Sequence, residues 1–362
     1  MFLGFGEIML RIAPEGHLRF RQALPGKVDV TFAGAEANVC VSLAQFGACA
    51  RFLTMLPNHA VADALVATLR GLNVDTQAIR RRETGRLGVY FVETGANQRG
   101  STVIYDRDGS AIALAAPEEY DFPAALDGVK WLHISGITPS LSENGFRSTL
   151  ALVRAANEAG VTVSCDLNFR KKLWRWKPGM SAAQLARESM SQILPFVDLL
   201  IANEEDAADV LDIHAAGTSV DQGKINAQGY EQVARTIVER FPNIGRVAVT
   251  LRESVSADHN NWGGLLYDAR AGRTVLAPLD AAGNYRPYEI RDIVDRVGGG
   301  DSFAAGLIYS LTTPELSEPG RALHFAVAAS CLKHSILGDF NYVTKDEVLA
   351  LVGGQATGRV KR

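Results

Sequence analysis

Short apolar segments alternate along the chain with longer segments in which apolar residues recur every three or four positions. This alternation predicts buried strands separated by amphipathic helices. The predicted strands are Arg51–Met55, Trp131–Ile134, Val161–Cys165, Leu199–Ile201 and Val247–Thr250. The predicted helices are Ala35–Phe46, His59–Arg70 (with Asn58 as N-cap), Glu143–Glu158, Ala182–Leu194 and Tyr230–Arg240. The pattern is typical of an α/β fold with a doubly wound, mostly parallel sheet flanked by helices.

Two segments depart from this alternation and are rich in strand-forming residues. They span residues 7–32 and 87–114, carry turn signals such as Pro25-Gly26 and Asp108-Gly109, and show no helical periodicity. We expect them to pair as a small sheet that stands off the main one. The domain prediction is therefore a single unit over residues 1–352 with these two segments inserted in it, followed by a loose tail at residues 353–362.

A run of three glycines, Gly298 to Gly300, lies between a predicted strand and a predicted helix. The segment Tyr288–Val294 alternates as a strand, and apolar residues recur from Phe303 at the spacing of one helix face. Free backbone amides at a helix start form an anion site. Asp301 follows at once and could take the proton of a hydroxyl that attacks a phosphoryl group held there. The alternative is that Asp301 is only a helix N-cap after a flexible turn.

Composition narrows the possible functions. The chain has 362 residues, of which 47% are hydrophobic, with a net charge of −3 and a pI near 6.2. These values give no indication of a nucleic-acid or membrane partner. The four cysteines are scattered without metal-ligand spacing, and the N-terminus lacks a signal-peptide pattern, so we expect a cytoplasmic protein. The P-loop motif is missing, and the dinucleotide fingerprint fails because Phe303 stands where its third glycine belongs.

Three motifs together resemble one family. The segment Asp295-Arg-Val-Gly-Gly-Gly-Asp301 resembles the Asp-Thr-x-Gly-Ala-Gly-Asp signature of the ribokinase-like, or PfkB, carbohydrate kinases. The segment Ala33-Gly34-Ala-Glu-Ala-Asn38 resembles the family's N-terminal sugar loop, and Asn203-Glu-Glu-Asp206 its Asn-x-x-Glu element. The matches run in family order from about residue 3 to 350. The departures are Arg296 for Thr, Gly299 for Ala, Ala33 for Gly and Asp206 for Glu.

Within the family, the chain most resembles 2-keto-3-deoxygluconate kinases. The segments that carry this likeness are Tyr105-Asp-Arg107, Asp166-Leu-Asn-Phe-Arg170, Thr250-Leu-Arg-Glu-Ser254, Val294–Phe303 and Lys333–Phe340. The resemblance implies an ATP-dependent kinase that phosphorylates the terminal hydroxyl of 2-keto-3-deoxygluconate. The alternatives are a kinase for a neutral sugar such as fructose or ribose, or for a nucleoside, and a non-catalytic relative that binds sugar.

The resemblance also assigns roles to residues around the sugar. Asp301 would be the catalytic base, and the amides of Gly298, Gly299 and Gly300 would stabilise the transferring phosphoryl group. The predicted substrate-binding residues are Gly34, Ala35, Asn38, Tyr105, Arg107, Arg170, Asp301 and Asp339. For three of them a simpler interpretation stays open: Asn38 as a polar residue on a helix surface, Arg107 as part of a solvated charged turn, and Asp339 as a turn residue.

The remaining roles concern the nucleotide and its metal ion. The predicted ATP-binding residues are Asn168, Arg170, Asn203, Thr250, Arg252, Glu253, Ser254, Gly298, Gly300, Ala329 and Ser330, with Arg252–Ser254 in a loop after the strand that ends at Thr250 and Ala326 as a further small residue facing the adenine. Asn203 and Asp206 are expected to hold Mg²⁺ through water, the alternative for Asn203 being a helix N-cap. The family resemblance further implies a small-molecule sugar-acid substrate, a possible monovalent cation, and a homo-oligomer, a dimer or larger, that pairs through the small sheets.

Overall fold

A ten-stranded sheet forms the centre of the protein in a computed structural model that describes residues 1–214 and 227–355. The strands in chain order are β1 (Phe2–Phe5), β2 (Met9–Ala13), β3 (Asp29–Ala33), β4 (Ala50–Leu53), β5 (Met55–Pro57), β6 (Val74–Asp75), β7 (Arg80–Arg82), β8 (Val89–Glu93), β9 (Thr102–Asp106), β10 (Trp131–Ser135), β11 (Thr162–Asp166), β12 (Leu199–Ala202), β13 (Arg246–Ser256), β14 (His259–Asp268), β15 (Arg273–Ala277) and β16 (Tyr288–Ile290). The large sheet has the order β15-β14-β13-β12-β11-β10-β1-β4-β6, and β16 pairs with β14. Neighbours from β6 to β13 are parallel, whereas β14 pairs antiparallel with β13, β15 and β16.

Helices cover both faces of this sheet. They are α1 (Phe20–Ala23), α2 (Ala35–Gln45), α3 (Ala60–Gly71), α4 (Ala111–Leu114), α5 (Phe122–Leu126), α6 (Ile137–Leu141), α7 (Glu143–Glu158), α8 (Ala182–Ile193), α9 (Glu204–Leu211), α10 (Ala227–Arg240), α11 (Gly299–Leu311), α12 (Pro319–Lys333) and α13 (Lys345–Val352). One apolar core joins the sheet to α7, α8, α9 and α10, and a second joins it to α2, α3, α11, α12 and α13. The predicted doubly wound, mostly parallel α/β fold is confirmed. None of the described helices is both long and apolar enough to cross a membrane.

A separate four-stranded sheet forms from the two strand-rich segments, as predicted. Its order is β3-β2-β8-β9, in which β2 and β8 are parallel and the outer pairs are antiparallel. One face of this sheet packs as a small core of its own around Met9, Tyr90 and Val92. The prediction that neither segment contains a helix is wrong, because α1 and α4 lie within them. Ala111 and Ile112 of α4 are buried in the main core, which stabilises a helical turn too short to show a periodicity.

Side-chain caps mark the start of several helices, including α7 and α3. Helix α7 begins after Ser142, whose hydroxyl accepts a hydrogen bond from the Gly145 amide. The predicted N-cap of α3, Asn58, is wrong: the cap is His59, whose ring accepts from the Ala62 amide, while Asn58 donates to Glu83. Of the predicted tail, residues 353–355 follow α13 directly and residues 356–362 lie outside the described residues.

Parallel pairing brings the carboxyl ends of β1, β10, β11, β12 and β13 to one edge of the large sheet. The segments that leave these strands carry most of the polar residues named above, including Asn168, Arg170 and Asn203. Ligands of doubly wound sheets bind at this edge. The small sheet lies beside the same edge, because its strand β2 follows β1 after only three residues.

Candidate active site

A single pocket of about 1140 Å³ lies between this sheet edge and the small sheet. Its volume is sufficient for two small molecules side by side. The predicted site residues that line it are Gly34, Ala35, Asn38, Tyr105, Arg107, Asn168, Arg170, Asn203, Asp206, Thr250, Arg252, Glu253, Ser254, Gly298, Gly299, Gly300, Asp301 and Asp339. Residues as far apart in sequence as Gly34 and Asp339 therefore meet in one cavity.

The glycine turn forms the start of α11 at the floor of this pocket. Gly298 is the N-cap and has a φ of +84°, a left-handed conformation that favours glycine. A Cβ on Gly298 would overlap the carbonyl oxygen of Asp339, whereas a Cβ on Gly300 would meet nothing within 4 Å. Helix geometry leaves the amides of Gly300 and Asp301 without intrahelical acceptors. The turn thus presents free amides to the pocket, as an anion site requires.

Asp301 lies in the first turn of α11 and does not cap the helix, so the N-cap interpretation of this residue is wrong. Its Oδ2 accepts a hydrogen bond of 2.6 Å from Asn38 Nδ2. Burial raises the pKa of Asp301 to about 6, and the hydrogen bond from Asn38 opposes that rise. A carboxylate with a pKa just below neutrality suits a general base.

The loop before α2 supplies the partner of this carboxylate. Asn38 Oδ1 accepts from the Gly34 amide at 3.3 Å, which fixes the orientation of the Asn38 side chain. A Cβ on Gly34 would overlap the Glu7 carbonyl, so this position requires the close approach that glycine allows. Asn38 is buried and contacts the pocket, and the interpretation as helix-surface polarity is wrong.

Arg107 comes from the end of β9 and is 6% exposed. Its Nε donates to Glu7 Oε2 at 2.5 Å, and its guanidinium lies 5.7 Å from the centre of the Tyr105 ring. The interpretation of Arg107 as a solvated charged turn is therefore wrong. Glu7 was not predicted as a site residue, since one acid after a short strand carries no distinctive sequence signal.

Arg170 also lines the pocket, and its side chain is exposed. It follows β11, and its guanidinium donates to the Phe169 carbonyl at 3.2 Å. The same loop holds Asn168 with a φ of +39°, and the Asn168 amide donates to Asp166 Oδ1. Burial, together with Asp206 and Asp301, raises the pKa of Asp166 well above its ordinary range, while the nearby Arg170 charge lowers it.

Asp339 lies below the small sheet and has partners that the sequence did not indicate. Its Oδ1 accepts from Arg11 at 2.8 Å and from the Tyr90 hydroxyl at 2.6 Å, and Arg11 also reaches Asp295 Oδ2 at 2.5 Å. Burial raises the pKa of Asp339, and Arg11 and Tyr90 oppose the rise. A signal for Arg11 did exist: it stands between Met9 and Ala13 on the buried face of an alternating strand.

Asn203 and Asp206, the predicted magnesium residues, form the capping box of α9. Asn203 Oδ1 accepts from the Asp206 amide at 2.8 Å, so the N-cap interpretation of Asn203 is correct. Asp206 accepts from the Phe169 and Asn203 amides, and burial raises its pKa to about 6. No group of three or more His, Cys, Asp or Glu side chains in residues 1–214 and 227–355 is arranged to hold a metal ion directly.

The nucleotide residues divide into two groups. Thr250, Arg252, Glu253 and Ser254 line the pocket, but they belong to the long strand β13 and not to a loop after it. The placement of Ala326, Ala329 and Ser330 beside an adenine is wrong. These three are fully buried against α11, where Ser330 Oγ donates to the Gly299 carbonyl at 2.6 Å and Ala326 and Ala329 pack on Gly306. Small residues serve close helix packing here, an alternative that composition alone could not exclude.

Comparisons with known proteins agree with this geometry. A family model described as "pfkB family carbohydrate kinase" matches residues 3–237. A crystal structure of a 2-dehydro-3-deoxygluconokinase from Thermotoga maritima is 42% identical, with a TM-score of 0.86 over 98% of this chain and 99% of that one. A 2-dehydro-3-deoxygalactonokinase from Haloferax volcanii is 30% identical over 98% of this chain and 97% of its own length. A 2-dehydro-3-deoxygluconokinase from Thermoproteus tenax is 26% identical over 93% of this chain and 88% of its own length.

Proposed function

The chain belongs to the pfkB family of carbohydrate kinases, and we propose that it transfers the γ-phosphoryl group of ATP to the terminal hydroxyl of 2-keto-3-deoxygluconate. The observation that carries the proposal is the meeting of a base, an anion site and two arginines in one pocket: Asp301, the Gly298–Gly300 turn, Arg107 and Arg170. The relatives at 42% and 30% identity are named for keto-deoxy sugar acids. The alternative of a non-catalytic sugar-binding protein is disfavoured, because binding alone needs no base beside an anion site.

The proposed phosphoryl transfer uses Asp301 and the backbone amides at the start of α11. Asp301 removes the proton from the terminal hydroxyl as the oxygen bonds to the γ-phosphorus, and the bond from phosphorus to the β–γ bridging oxygen breaks to release ADP. The amides of Gly300 and Asp301 stabilise the negative charge on the transferring group. Asn38 orients the base, since its amide group is itself held by the Gly34 amide.

The sugar acid differs from a neutral sugar in its carboxylate. A partly desolvated carboxylate binds best to the planar, two-pronged guanidinium of arginine. Arg170 has its guanidinium exposed to the pocket, while Arg107 is held by Glu7 and can offer only the donors that this ion pair leaves. We therefore assign the main carboxylate contact to Arg170. Tyr105, Gly34, Ala35 and Asp339 complete the sugar side of the pocket.

ATP occupies the other half of the pocket, along Thr250 to Ser254 and Asn203. Mg²⁺ neutralises its phosphates when bound. The carboxylates of Asp166 and Asp206 fit such an ion, because burial raises the pKa of each by destabilising its negative charge, and a nearby cation would offset that cost. Both oxygens of Asp206 already accept backbone hydrogen bonds, which favours contact through water over direct ligation.

We also propose that the small sheet acts as a lid and as the contact of a homodimer. Its outer face, away from the pocket, carries Leu10, Ile12, Val30, Phe32, Val89, Phe91 and Ile104, of which Val30 and Ile104 are more than half exposed. Covering an apolar face of this kind is favourable. Sedimentation velocity tests the proposed homodimer. The double variant Val30→Asp and Ile104→Asp should sediment as a monomer and the wild type as a dimer. A monomeric wild type would exclude the homodimer.

Assay of ADP release on a panel of acceptors tests the substrate. The panel holds 2-keto-3-deoxygluconate, its galactonate epimer, fructose and ribose, with Asp301→Asn as the background control. We expect kcat/KM to be highest for the gluconate acid. The Haloferax relative makes the galactonate epimer the second candidate. A neutral sugar as the best acceptor would reject the sugar-acid assignment and leave only the kinase class.

A further inference from the structure

The C-terminal end of α12 supports the glycine turn from below. Ser330 Oγ donates to the Gly299 carbonyl, and the His334 ring lies against Gly299 so closely that a Cβ there would be 3.0 Å from its Cε1. The methylene chain of Lys333 lies against Gly298, where an added Cβ would be 3.2 Å from Lys333 Cε. Burial lowers the pKa of His334 to about 4, so this ring is neutral near pH 7. Lys333 is thus the one cationic side chain among these three supports.

Lys333 is fully buried, an environment that lysine enters only with compensating partners. Its Nζ donates to the Ile336 carbonyl at 3.1 Å. Asp295 and Asp339 also interact with its charge, and Arg11 bridges the same two carboxylates. With Lys333 in its charged form, these two carboxylates and two basic side chains form a cluster with a net charge of zero, and Lys333 and Asp339 lie against Gly298 of the turn.

We propose that Lys333 is a positioning residue for phosphoryl transfer, a built-in cation whose charge keeps the Gly298–Gly300 turn favourable for an anion. The proposal rests on the proposed kinase function. Without the ammonium, Asp295 and Asp339 would share the single guanidinium of Arg11, and the cluster would carry a net negative charge. That charge would repel a phosphoryl group at the turn. With this built-in cation, we expect turnover not to depend on which monovalent cation is in the buffer.

The charge on Lys333 also acts on the base. Burial and the nearby Arg11 charge lower the pKa of Lys333, while Asp295, Asp339 and Asp301 raise it. The charged form of Lys333 is the one that keeps the cluster neutral. In return, Lys333 lowers the pKa of Asp301, as do Asn38 and Arg170. Asp339 opposes them, and the Glu36 and Asp166 carboxylates also interact with Asp301. Loss of the ammonium should therefore raise the pKa of Asp301 further.

The first test is Lys333→Met, which keeps the length of the side chain and removes its charge. We expect kcat to fall by roughly tenfold or more, since the donors it supports are each worth about 10²–10³ in rate. The acidic limb of the kcat/KM profile should move to higher pH. The matched control is Lys177→Met, an exposed lysine outside the pocket that pairs with Glu188. An unchanged kcat and an unchanged limb in folded Lys333→Met would overturn the proposal.

A second variant keeps the test decisive if Lys333→Met folds poorly. Lys333→Ala leaves a cavity beneath the turn that ethylammonium or K⁺ can enter. We expect these cations to restore part of kcat in the variant and to leave the wild type unchanged. The wild type should also turn over equally in sodium, potassium and choline chloride. A potassium requirement in the wild type, or no restoration in a folded Lys333→Ala protein, would contradict a built-in cation.

A binding measurement separates this proposal from the proposed function. Calorimetry with inorganic tripolyphosphate and with adenosine reports the anion site without any acceptor sugar. Lys333→Met should weaken tripolyphosphate binding at least several-fold and leave adenosine binding unchanged. If no acceptor in the panel is phosphorylated, the proposed function fails, and this comparison still decides the role of Lys333: equal tripolyphosphate affinity in both proteins would reject it.

Discussion

Asn38 Nδ2 donates a hydrogen bond to Asp301 Oδ2 at 2.6 Å, although the two residues are 263 positions apart in the chain. The bond joins α2 to α11, two helices of the same apolar core. It holds the base in one orientation, and because it stabilises the charged form it keeps the pKa of Asp301 from rising above about 6. The sugar loop and the base are therefore parts of one hydrogen-bonded unit.

The first prediction follows from this bond. Asp301 must be a carboxylate to accept a proton, so wild-type kcat/KM should be full well above pH 6 and should fall as the pH drops through about 6. Asn38→Leu removes the donor, so the acidic limb should move to higher pH and kcat should fall by about tenfold or more, part of the 10²–10⁴ that general-base catalysis contributes. The measurement is a pH–rate profile with Gln45→Ala, at the other end of α2, as control. An unmoved limb would show that Asn38 does not act on the base.

The second prediction compares two glycines of the same turn. Gly298→Ala places a Cβ on the Asp339 carbonyl in a left-handed conformation, so both stability and activity should be lost, with about 1–2 kcal/mol from the backbone alone. Gly300→Ala places its Cβ in open space at the pocket, so the melting temperature should stay or rise while kcat/KM for ATP falls at least tenfold. Thermal melts and kinetics on both variants decide it. Full activity in Gly300→Ala would show that the transferring phosphoryl group does not bind at this turn.

The fold and the glycine turn could be predicted because their signals are local. A strand of four apolar residues, or a helix with one apolar face, has the same pattern wherever it packs, and the bounds of α7 match the prediction residue for residue. The glycine turn is equally local, since three bare residues between a strand and an apolar helix have few other uses. Such features can be predicted without knowing which residues pack against them.

The parts that could not be predicted depend on partners that are distant in the chain. Arg11 and Asp339 are 328 positions apart, and nothing near either residue indicates that they pair. Lys333 ends an apolar helix, where a lysine is ordinarily a solvated cap, and its burial is set by the turn packed above it. The misassignment of Ala329 and Ser330 has the same origin, because small residues suit both a ligand and a close helix contact.

The third prediction concerns the substrate carboxylate. Arg170→Lys keeps the charge and loses the two-pronged donor, so KM for the sugar acid should rise as binding weakens by about 1–3 kcal/mol. KM for ATP should rise only if Arg170 also contacts the phosphates, the second role that the family resemblance gives it. The control is Arg175→Lys, an exposed arginine outside the pocket that pairs with Asp108. An unchanged KM for the sugar acid in Arg170→Lys would show that Arg170 does not bind the substrate carboxylate.

The fourth prediction concerns Arg107→Lys, whose effects should differ from those of Arg170→Lys. It also alters the buried ion pair with Glu7, so this variant should lose stability in addition to sugar-acid affinity. Its effect on sugar-acid affinity should be smaller than that of Arg170→Lys, because Glu7 already occupies part of its guanidinium. Urea unfolding and kinetics on the same preparation separate the two effects. Wild-type stability in Arg107→Lys would show that the Glu7 contact contributes little.

The last prediction concerns Glu36, which is fully buried beside the sugar loop. Ser135 Oγ donates to its Oε1 at 2.6 Å, while Oε2 is buried without a hydrogen-bond partner among the described residues. Burial raises the pKa of Glu36 to about 7 from an ordinary value of 4.5, with Ser135 and Arg107 opposing the rise and Asp301 adding to it. Between pH 4.5 and about 7, the protonated form of Glu36 is therefore favoured in the folded state and the charged form in the unfolded chain.

The sign of the pH dependence follows from this difference. The stability that protonated Glu36 contributes is fully present below pH 4.5 and is lost as the pH rises through about 7, a change of about 3 kcal/mol across the window. Glu36→Gln keeps the acceptor for Ser135 and cannot ionise. Its free energy of unfolding in urea should therefore fall less between pH 5 and pH 8 than that of the wild type, although Asp166, Asp206 and Asp301 contribute to the remaining slope in both proteins. Glu83→Gln, at an exposed glutamate, serves as control, and parallel slopes in Glu36→Gln and the wild type would show that Glu36 is already ionised in the folded protein at pH 5.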